Sequence, residues 1–315
     1  MKKYIIRRFL YMIPTLLVAA VVAFLLVHFI PGGPAAQILG FKATPEQIAE
    51  LNARLGLDRP IIVQFWEWFT GILRGDFGVS LTFNKPVLEL IMQRMPITIQ
   101  LTFLSLIISM LIGIPAGVIA AINQGKLADN VVLAIAIIGS ALPEFWLALN
   151  LISLLSVKAG IFPPGGYSEI AKGFAEWLRR MTLPAFSLGF IFSASVARMT
   201  RSSMLDVLRQ DYIKTARAKG QREKVVLFKH ALKNALIPII TVVGLNITAA
   251  MGGSVVIENV YTLPGVGRMM LNAINGRDYP MVQGIIIVIA FIAIVVNFFV
   301  DILYKAVNPK ITLDE

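Results

Sequence analysis

Long apolar runs separated by polar segments dominate the pattern of residues along this 315-residue chain. A helix needs about 20 consecutive, mostly apolar residues to cross the hydrocarbon core of a bilayer. Runs close to that length occupy residues 9–30, 95–122, 131–157, 181–197, 234–257 and 279–300, and the third contains one charged residue, Glu144. The sequence therefore predicts an all-α membrane protein with six transmembrane helices.

The composition supports lipid as the solvent of these runs. Hydrophobic residues make up 57% of the chain and charged residues only 15%, whereas soluble proteins have about 25% charged residues. In a soluble protein the net charge of +11 would indicate nucleic acid as a partner, but in a membrane protein it indicates basic cytoplasmic loops. With no cysteine and two histidines, the chain has little material for a metal site. We expect it to bind neither metal nor nucleic acid.

Basic residues determine the predicted orientation. Lys2, Lys3, Arg7 and Arg8 precede the first apolar run, and ten Lys and Arg residues lie within residues 198–233. Because cytoplasmic loops carry an excess of such residues, both termini are predicted to be cytoplasmic. The first run is longer than the hydrophobic region of a signal peptide, which has about 7–15 residues. We therefore expect it to be retained as a transmembrane helix.

The segment between the first two runs is predicted to be extracytoplasmic and helical. Thr44, Pro45 and Gln47 have the order of a capping box with proline at the first helical position. Residues 61–72, which include two tryptophans, have an amphipathic pattern suited to the outer membrane interface. A second short interfacial helix is expected at residues 174–178.

The most informative polar segment is residues 198–238. Two apolar stripes with helical spacing flank Gly220: Leu205, Leu208, Tyr212 and Ala216 before it, and Val225, Phe228, Leu232 and Ala235 after it. The pattern predicts a helix, a turn that glycine permits, and a second helix leading into the fifth span. Such a segment is suited to a groove on a partner protein, and the alternative is a basic loop held by anionic lipid headgroups. Small residues around Gly220 favour the protein partner, because they allow close backbone approach.

Residues 211–220 (DYIKTARAKG) and 230–238 (HALKNALIP) resemble the cytoplasmic coupling loop of ABC-transporter permeases, in the form found in the dipeptide/oligopeptide importer family. The general motif of that loop is E-A-A-x-x-x-G. Gly220 matches its glycine and Ala216 its second alanine, while Lys214 and Thr215 stand at its first two positions. Further resemblances follow in the family's order, at residues 55–60, 75–80, 94–98, 258–267, 301–304 and 308–310.

The resemblance implies a type I ABC importer permease fold and a chain that forms half of a pore for di- or oligopeptides or similar small solutes, working by alternating access. It implies that partners are two ATP-binding-cassette ATPase subunits, a second homologous permease and an extracytoplasmic substrate-binding protein, in a bacterial or archaeal inner membrane. The chain has no phosphate-binding P-loop pattern, so we expect it to be no enzyme and to hold no cofactor. We expect membrane lipid to surround the chain.

This implies a domain organisation and a set of site residues. The predicted domains are residues 1–94, with the first helix and the extracytoplasmic segment, a permease core of 95–305 that includes the coupling segment 198–238, and a cytoplasmic tail of 306–315. The ATPase-coupling residues are Asp211, Tyr212, Thr215, Ala216, Arg217, Ala218, Lys219, Gly220, His230, Asn234 and Pro238. The candidate external gate is Glu258, Pro264, Gly265 and Gly267, and the candidate pore-lining residues are Glu144, Asn150 and Asn246.

Alternatives remain open for several of these residues. Glu144 either faces the pore, where it would contact a substrate amine, or makes a structural hydrogen bond to the backbone freed by Pro143. Asparagines within spans also join helices. We expect Gly113, Gly117 and the Gly252–Gly253 pair to be close-packing sites. The alternative function is an ion-coupled secondary carrier or a channel that acts without an ATPase, but such carriers tend to show internal repeats, and none is visible here.

Overall fold

A computed structural model of the protein describes residues 2–28, 35, 36, 39 and 43–307. Its helices are α1 (Lys2–His28), α2 (Pro45–Leu55), α3 (Ile61–Leu73), α4 (Val87–Ile122), α5 (Leu127–Ala141), α6 (Glu144–Leu151), α7 (Phe174–Leu208), α8 (Asp211–Ala218), α9 (Glu223–Val225), α10 (Lys233–Val260), α11 (Val266–Asn275) and α12 (Tyr279–Val307). A π-helical stretch, Ile152–Lys158, extends α6, and a second, Val226–Leu232, joins α9 to α10. Residues 308–315, which make up most of the predicted tail, lie outside the described residues.

The helices confirm the predicted class of fold. Within the described residues, five segments are long and apolar enough to cross a membrane: Phe9–Leu26, Val87–Ile122, Phe174–Leu208, Glu223–Val260 and Tyr279–Val300. The bent pair Leu127–Ala141 and Glu144–Lys158 makes a sixth span if it is counted as one. The described residues therefore form an all-α membrane protein with five candidate spans, or six when the bent pair is counted as one.

The third span is broken rather than straight. Its two halves, α5 and α6, meet at an angle of 102°. Leu142 has an extended backbone (φ −73°, ψ 130°) and is followed by Pro143. Proline lacks the amide hydrogen that a continuous helix needs, and it disfavours helical backbone in the residue before it. The apolar run of residues 131–157, with Glu144 as its one charged residue, did not predict this break.

The fourth and fifth spans are longer than their apolar centres. The fourth, α7, begins at Phe174 and continues to Leu208 with Pro184 inside it. The separate interfacial helix predicted at residues 174–178 is therefore wrong, because those residues form the first turn of this span. The fifth span begins at Glu223, before its apolar run, since a helix continues through charged turns once it leaves the bilayer core.

The described residues form two compact units. One consists of residues up to Pro96 together with Gly265–Val295, and the other of Ile97–Pro264 together with the residues from Val296. The division predicted from the sequence, at residues 94 and 305, stays a prediction.

In the second unit, α4 and α7 cross with their backbones in close contact. A Cβ atom added at Gly117 would lie 2.5 Å from the Cβ of Thr200, and one added at Gly113 would lie 2.7 Å from the Cβ of Val196. Packing of small residues drives helix association in membranes, where lipid tails are as apolar as the side chains. The prediction of close packing is confirmed for Gly113 and Gly117, but it is wrong for Gly252, where an added Cβ would have no atom within 4 Å.

In the first unit, the loop before α4 is held by one buried carboxylate, that of Asp278. Asp278 accepts hydrogen bonds from Ser80 Oγ at 2.5 Å and from the backbone amides of Leu81 and Thr82, each at 3.1 Å. It also accepts a bond from the amide of Met281 at 3.3 Å. Asp278 therefore caps the start of α12 while it fixes the loop.

Helices α2 and α3 form where the sequence predicts helices. Thr44 and Gln47 make both hydrogen bonds of the capping box at the start of α2. In the first unit, α3 packs against α1 through Phe65 and Trp68, whose rings lie 5.4 and 5.6 Å from the ring of Phe24. The interfacial location of α3 in the membrane stays a prediction.

We predict that Gly117→Ala destabilises the protein by about 1–3 kcal/mol, the usual cost of overpacking, because α4 and α7 must separate to admit the methyl group. The matched control is Gly252→Ala on α10, where an added Cβ has no atom within 4 Å. Thermal unfolding of the purified protein in detergent measures both. Equal unfolding temperatures for the two variants would contradict the close crossing.

Candidate functional site

The predicted coupling segment forms two helices that follow directly on α7. The fourth span ends at Leu208, and α8 begins after Gln210, whose backbone is extended (φ −71°, ψ 148°). Leu205 and Leu208 therefore lie on α7, whereas Tyr212 and Ala216 lie on α8. The prediction of one helix carrying all four is wrong, because an apolar stripe with helical spacing does not reveal a break between its members.

Gly220 ends α8 with a left-handed backbone, at φ +74°. The amide of Gly220 donates to the carbonyl of Arg217 at 2.9 Å, and the amide of Gln221 donates to the carbonyl of Ala216 at 3.3 Å. These two bonds are those of a Schellman motif, in which glycine is preferred at the left-handed position. A Cβ atom added here would have no atom of the chain within 4 Å. Backbone conformation, and not crowding within the chain, therefore requires the glycine.

One face of the segment packs against the ends of two membrane helices. Its buried residues form a cluster with the ends of α4 and α7, and the members are Val118, Ala121, Met204, Ile213, Ala216, Val226, Leu227, Ala231 and Ala235. Val225 and Phe228, predicted to share the buried stripe, are instead 38% and 59% exposed. The reason is the π-helical stretch, since bonds from i to i+5 shift the buried positions away from the spacing of an α-helix.

Hydrogen bonds join α8 to the helix after the turn. Asn234 Nδ2 donates to the hydroxyl oxygen of Tyr212 at 2.8 Å, and a ring nitrogen of His230 lies 2.7 Å from Oε1 of Gln221. The sequence analysis had selected Tyr212, His230 and Asn234 from the resemblance alone, and the structure brings them together as internal braces.

An ion pair spans the turn itself. The guanidinium of Arg217 donates from Nη2 and Nε to the two carboxylate oxygens of Glu223, at 2.6 and 3.2 Å. These hydrogen bonds raise the pKa of Arg217 above its ordinary value. The other selected residues of α8 and the turn are exposed except for Ala216: Asp211, Thr215, Ala218, Lys219 and Gly220. Pro238 lies within α10. The segment therefore presents a braced, solvent-facing helix of small and charged residues.

The three candidate pore-lining residues have different surroundings. Glu144 is half-buried in the first turn of α6, where its Oε1 would lie 3.0 Å from a Cβ added at Gly253. Asn246 is buried and exchanges hydrogen bonds with Ser195 of α7, at 3.1 and 3.3 Å. Asn150 donates to the carbonyl of Trp146 one turn earlier at 2.7 Å. Asn246 joins two helices in this unit, and the pore-lining role of all three stays a prediction.

The candidate gate contains a second Schellman motif, at the end of α10. Thr262 has a left-handed backbone at φ +54°, and the amide of Leu263 donates to the carbonyl of Glu258 at 2.8 Å. Glu258 is fully buried, and its carboxylate accepts a hydrogen bond from Thr98 of α4 at 2.6 Å. A left-handed backbone costs an L-residue about 1–2 kcal/mol, so Thr262 is strained where Gly220 is not.

The remaining gate residues lie at the division between the two units. Pro264 belongs to one unit and Gly265 to the other, and Gly265 and Gly267 are buried in the first turn of α11 and its cap. Tyr261, which the sequence analysis did not select, is fully buried in the second unit, with its hydroxyl 2.9 Å from Ser187 Oγ. The gating role of these residues stays a prediction.

Sequence reasoning also missed a buried ion pair. Asp129 at the start of α5 accepts two hydrogen bonds from the guanidinium of Arg201 on α7, at 2.5 and 2.7 Å. The sequence showed Arg201 only as one of ten basic residues that orient the chain, and Asp129 is separated from it by 72 positions. Among the described residues, no group of three or more His, Asp or Glu side chains is placed to hold a metal ion.

Comparison with known families matches the chain twice. Residues 113–313 match the family described as "Binding-protein-dependent transport system inner membrane component". Residues 1–102 match its N-terminal companion, "Binding-prot-dependent transport system membrane comp, N-term".

Curated relatives cover almost the whole chain. The chain is 41% identical to a dipeptide transport system permease protein of Alkalihalophilus pseudofirmus, with 99% of each chain covered. It is 41% identical to a putative peptide transport system permease protein of Brucella abortus, with 100% of each covered. It is also 41% identical to a glutathione transport system permease protein of Salmonella choleraesuis, with 99% of each covered.

Solved structures share the fold. A chain of the MetNI methionine ABC transporter in an inward-facing conformation aligns with a TM-score of 0.58 at 20% identity, covering 70% of this chain and 96% of that one. A chain of an amino acid ABC transporter crystallised with histidines aligns with a TM-score of 0.54 at 16% identity, covering 69% and 94%. These matches support the predicted type of permease fold.

We predict that Gly220→Val lowers the protection of amide hydrogens in α8 by about tenfold, because the cost of about 1–2 kcal/mol for a left-handed L-residue corresponds to that factor. Gly220→Asn is expected to have a smaller effect, since asparagine tolerates this conformation. The control is Ala218→Val at an exposed helical position two residues earlier, where the penalty is below about 0.7 kcal/mol. Hydrogen exchange measures all three. Equal losses for Gly220→Val and Ala218→Val would count against the conformational role.

Proposed function

Because this chain belongs to the binding-protein-dependent transport system inner membrane component family, we propose that it imports short peptides as one half of a pore driven by separate ATPase subunits. The chain is a multi-pass membrane permease of an ABC transport system. The observation that carries the rest of the proposal is the braced helix α8, which stands between two membrane helices and turns a face of small and charged residues to solvent.

The proposed partner of α8 is an ATPase subunit. Ile213 and Ala216 anchor the helix to the ends of α4 and α7, so a force on α8 acts directly on two spans. Exposed Ala218 and Gly220 allow a partner's backbone to approach closely, because neither has a side chain beyond Cβ. A groove that receives a short helix is a known mode of protein recognition. ATP binds to the partner in this proposal, and this chain holds no cofactor.

The proposed substrates follow from the names of the relatives. Those permeases are named for dipeptide, peptide and glutathione transport, and what these substrates share is a short peptide with charged ends. We propose that an extracytoplasmic binding protein delivers such peptides at the turn of Thr262 and Pro264. A second homologous permease completes the pore, in a bacterial or archaeal inner membrane. The termini of this chain are proposed to be cytoplasmic, on the same side as α8.

Glu144 is the proposed contact for the substrate's amino group. An ionisable residue within a span is costly unless it faces protein or a water-filled cavity. Glu144 follows the break in the third span and lies against Gly253 of α10, which leaves its carboxylate without a bulky neighbour at that position. Within the described residues, Glu144 makes no hydrogen bond to the backbone freed by Pro143, so no contact supports the structural alternative. Asn150 and Asn246 are the proposed polar neighbours along the pore.

The docking proposal predicts that Ala218→Trp lowers recovery of the ATPase subunits at least tenfold when the transporter is purified in detergent through this chain. The reason is that the indole fills the space that a partner groove needs. The matched control is Ala49→Trp, an exposed alanine on outer helix α2, which should leave recovery unchanged. Undiminished recovery with Ala218→Trp would refute the docking site. Transport by the purified chain alone would refute the ATP-driven assignment and favour a carrier or channel.

The substrate proposal predicts that Glu144→Gln lowers uptake of a dipeptide with a free amino terminus about tenfold, while uptake of its N-acetylated analogue changes little. Removal of the carboxylate charge eliminates an ion pair only for the first substrate. Uptake into proteoliposomes that contain the whole transporter and its receptor measures both, with Glu169→Gln, an exposed residue, as the control. Equal losses for the two peptides would assign Glu144 a structural role instead.

A further inference from the structure

The buried ion pair between α5 and α7 is geometrically specific. Arg201 donates from Nε to Oδ1 of Asp129 at 2.5 Å and from Nη2 to Oδ2 at 2.7 Å, which is the parallel, two-bond arrangement that fixes both groups in one orientation. Asp129 is only 2% exposed. It also accepts a bond from the amide of Gly125 at 2.9 Å, so the tight turn between α4 and α5 is held at the same point.

A second arginine joins the same two helices one turn further along. Arg198 Nη1 donates to the carbonyl of Ala136 at 3.1 Å and to Ser140 Oγ at 3.3 Å. Arg198 and Arg201 are three positions apart on α7, and residues at that spacing share one face of a helix. Together they contact α5 from its first turn to its last.

Apolar contacts also join α5 to α7, since a Cβ added at Gly139 of α5 would lie 3.3 Å from Cε1 of Phe190 on α7. No residue of α5 belongs to the buried cluster that attaches the coupling segment to α4 and α7. A cavity of about 180 Å³ lies among α4, α5 and α7. Its lining includes Ile112, Ala116, Val132, Ile135 and Ala194. The polar contacts add a fixed geometry to this packing between α5 and the helix that leads into the coupling segment.

A buried ion pair is weak evidence for stability, because removing two charges from water offsets much of their attraction. Its better-supported use is to specify one arrangement of the elements that it joins. Here those elements are α7, which continues into α8, and α5, which is the first half of the broken span. The other half begins with Glu144, directly after the break at Pro143.

We propose that Asp129 and Arg201 are positioning residues that make α5 move as one body with α7 and α8, so that displacement of the coupling segment reaches the break at Pro143. Energetic coupling between distant sites requires packed or hydrogen-bonded elements that both sites bias, and this pair is such an element. The inference rests on the proposed docking of α8 to an ATPase. It adds that the ion pair transmits this displacement to the third span.

The test uses the whole transporter in proteoliposomes and measures peptide transported per ATP hydrolysed. Asp129→Asn and Arg201→Gln should each lower this ratio at least tenfold while the ATPase subunits still co-purify and still hydrolyse ATP. The charge exchange Asp129→Arg with Arg201→Asp should restore much of the ratio, and Arg201→Lys should give an intermediate value because it keeps the charge without the two-bond geometry. The control is Glu176→Gln, which removes an ion pair with Arg180 within α7 alone, and it should leave the ratio unchanged.

A second measurement follows the distance between α5 and α7 directly. The chain has no cysteine, so spin labels can be placed at Lys126→Cys and Arg209→Cys, two exposed positions next to α5 and α7. The mean distance between the labels should be the same in the nucleotide-free and the ATP-bound transporter. The distribution of this distance should broaden when Asp129→Asn is added. A change in this distance between the two states without that mutation would overturn the inference.

The outcomes separate this inference from the proposed function. Transport and hydrolysis that fall in parallel, with an unchanged ratio, would overturn the role of the ion pair and leave the docking of α8 intact. Failure of the unmodified chain to recover any ATPase would instead overturn the proposed function, and the present inference with it.

Discussion

At the crossing of α4 and α7, two membrane helices come so close that no side chain fits at the glycine positions of the contact. Besides Gly113 and Gly117, Gly189 on α7 contributes, since a Cβ added there would lie 2.5 Å from the carbonyl oxygen of Ser105. Because lipid offers no apolar driving force, this contact depends on shape. Both ends of the second unit are built on it: the cluster around Trp177 and Tyr261 at one end, and the coupling-segment cluster at the other.

The two ends of this unit use the same way of terminating a helix with different residues. Near α8 the left-handed position is Gly220, which adopts it without strain, whereas at the end of α10 it is Thr262, a β-branched residue for which that backbone is an outlier. The strained turn persists because its surroundings hold it: Gly166 donates to the carbonyl of Tyr261 at 2.8 Å and contacts Thr262 Oγ1 at 3.1 Å. Strain maintained in this way is characteristic of functional sites.

Hydropathy was sufficient to predict the class of fold and the number of spans, because the length of an apolar run reflects the thickness of the bilayer. It was insufficient at Pro143, where the run continues although the helix does not, and at Val225 and Phe228, where a π-helical stretch moved the buried face. The resemblance selected the predicted coupling segment, but the role of Gly220 in ending α8 required a backbone angle. Asp129 and Asp278 could not be selected from the sequence, since each acts through partners many positions away.

In the proposed function, one exposed helix that packs against the ends of α4 and α7 binds an ATPase subunit. The most direct test of that claim is site-specific cross-linking from α8. Thr215→Cys, the only cysteine in this chain, is reacted in membranes with a bifunctional reagent, and Asn52→Cys on outer helix α2 is treated in parallel. We predict that the ATPase subunit is captured from Thr215→Cys and not from Asn52→Cys, in a yield that changes when ATP is added. Capture from Asn52→Cys, or from neither position in a transport-competent complex, would contradict it.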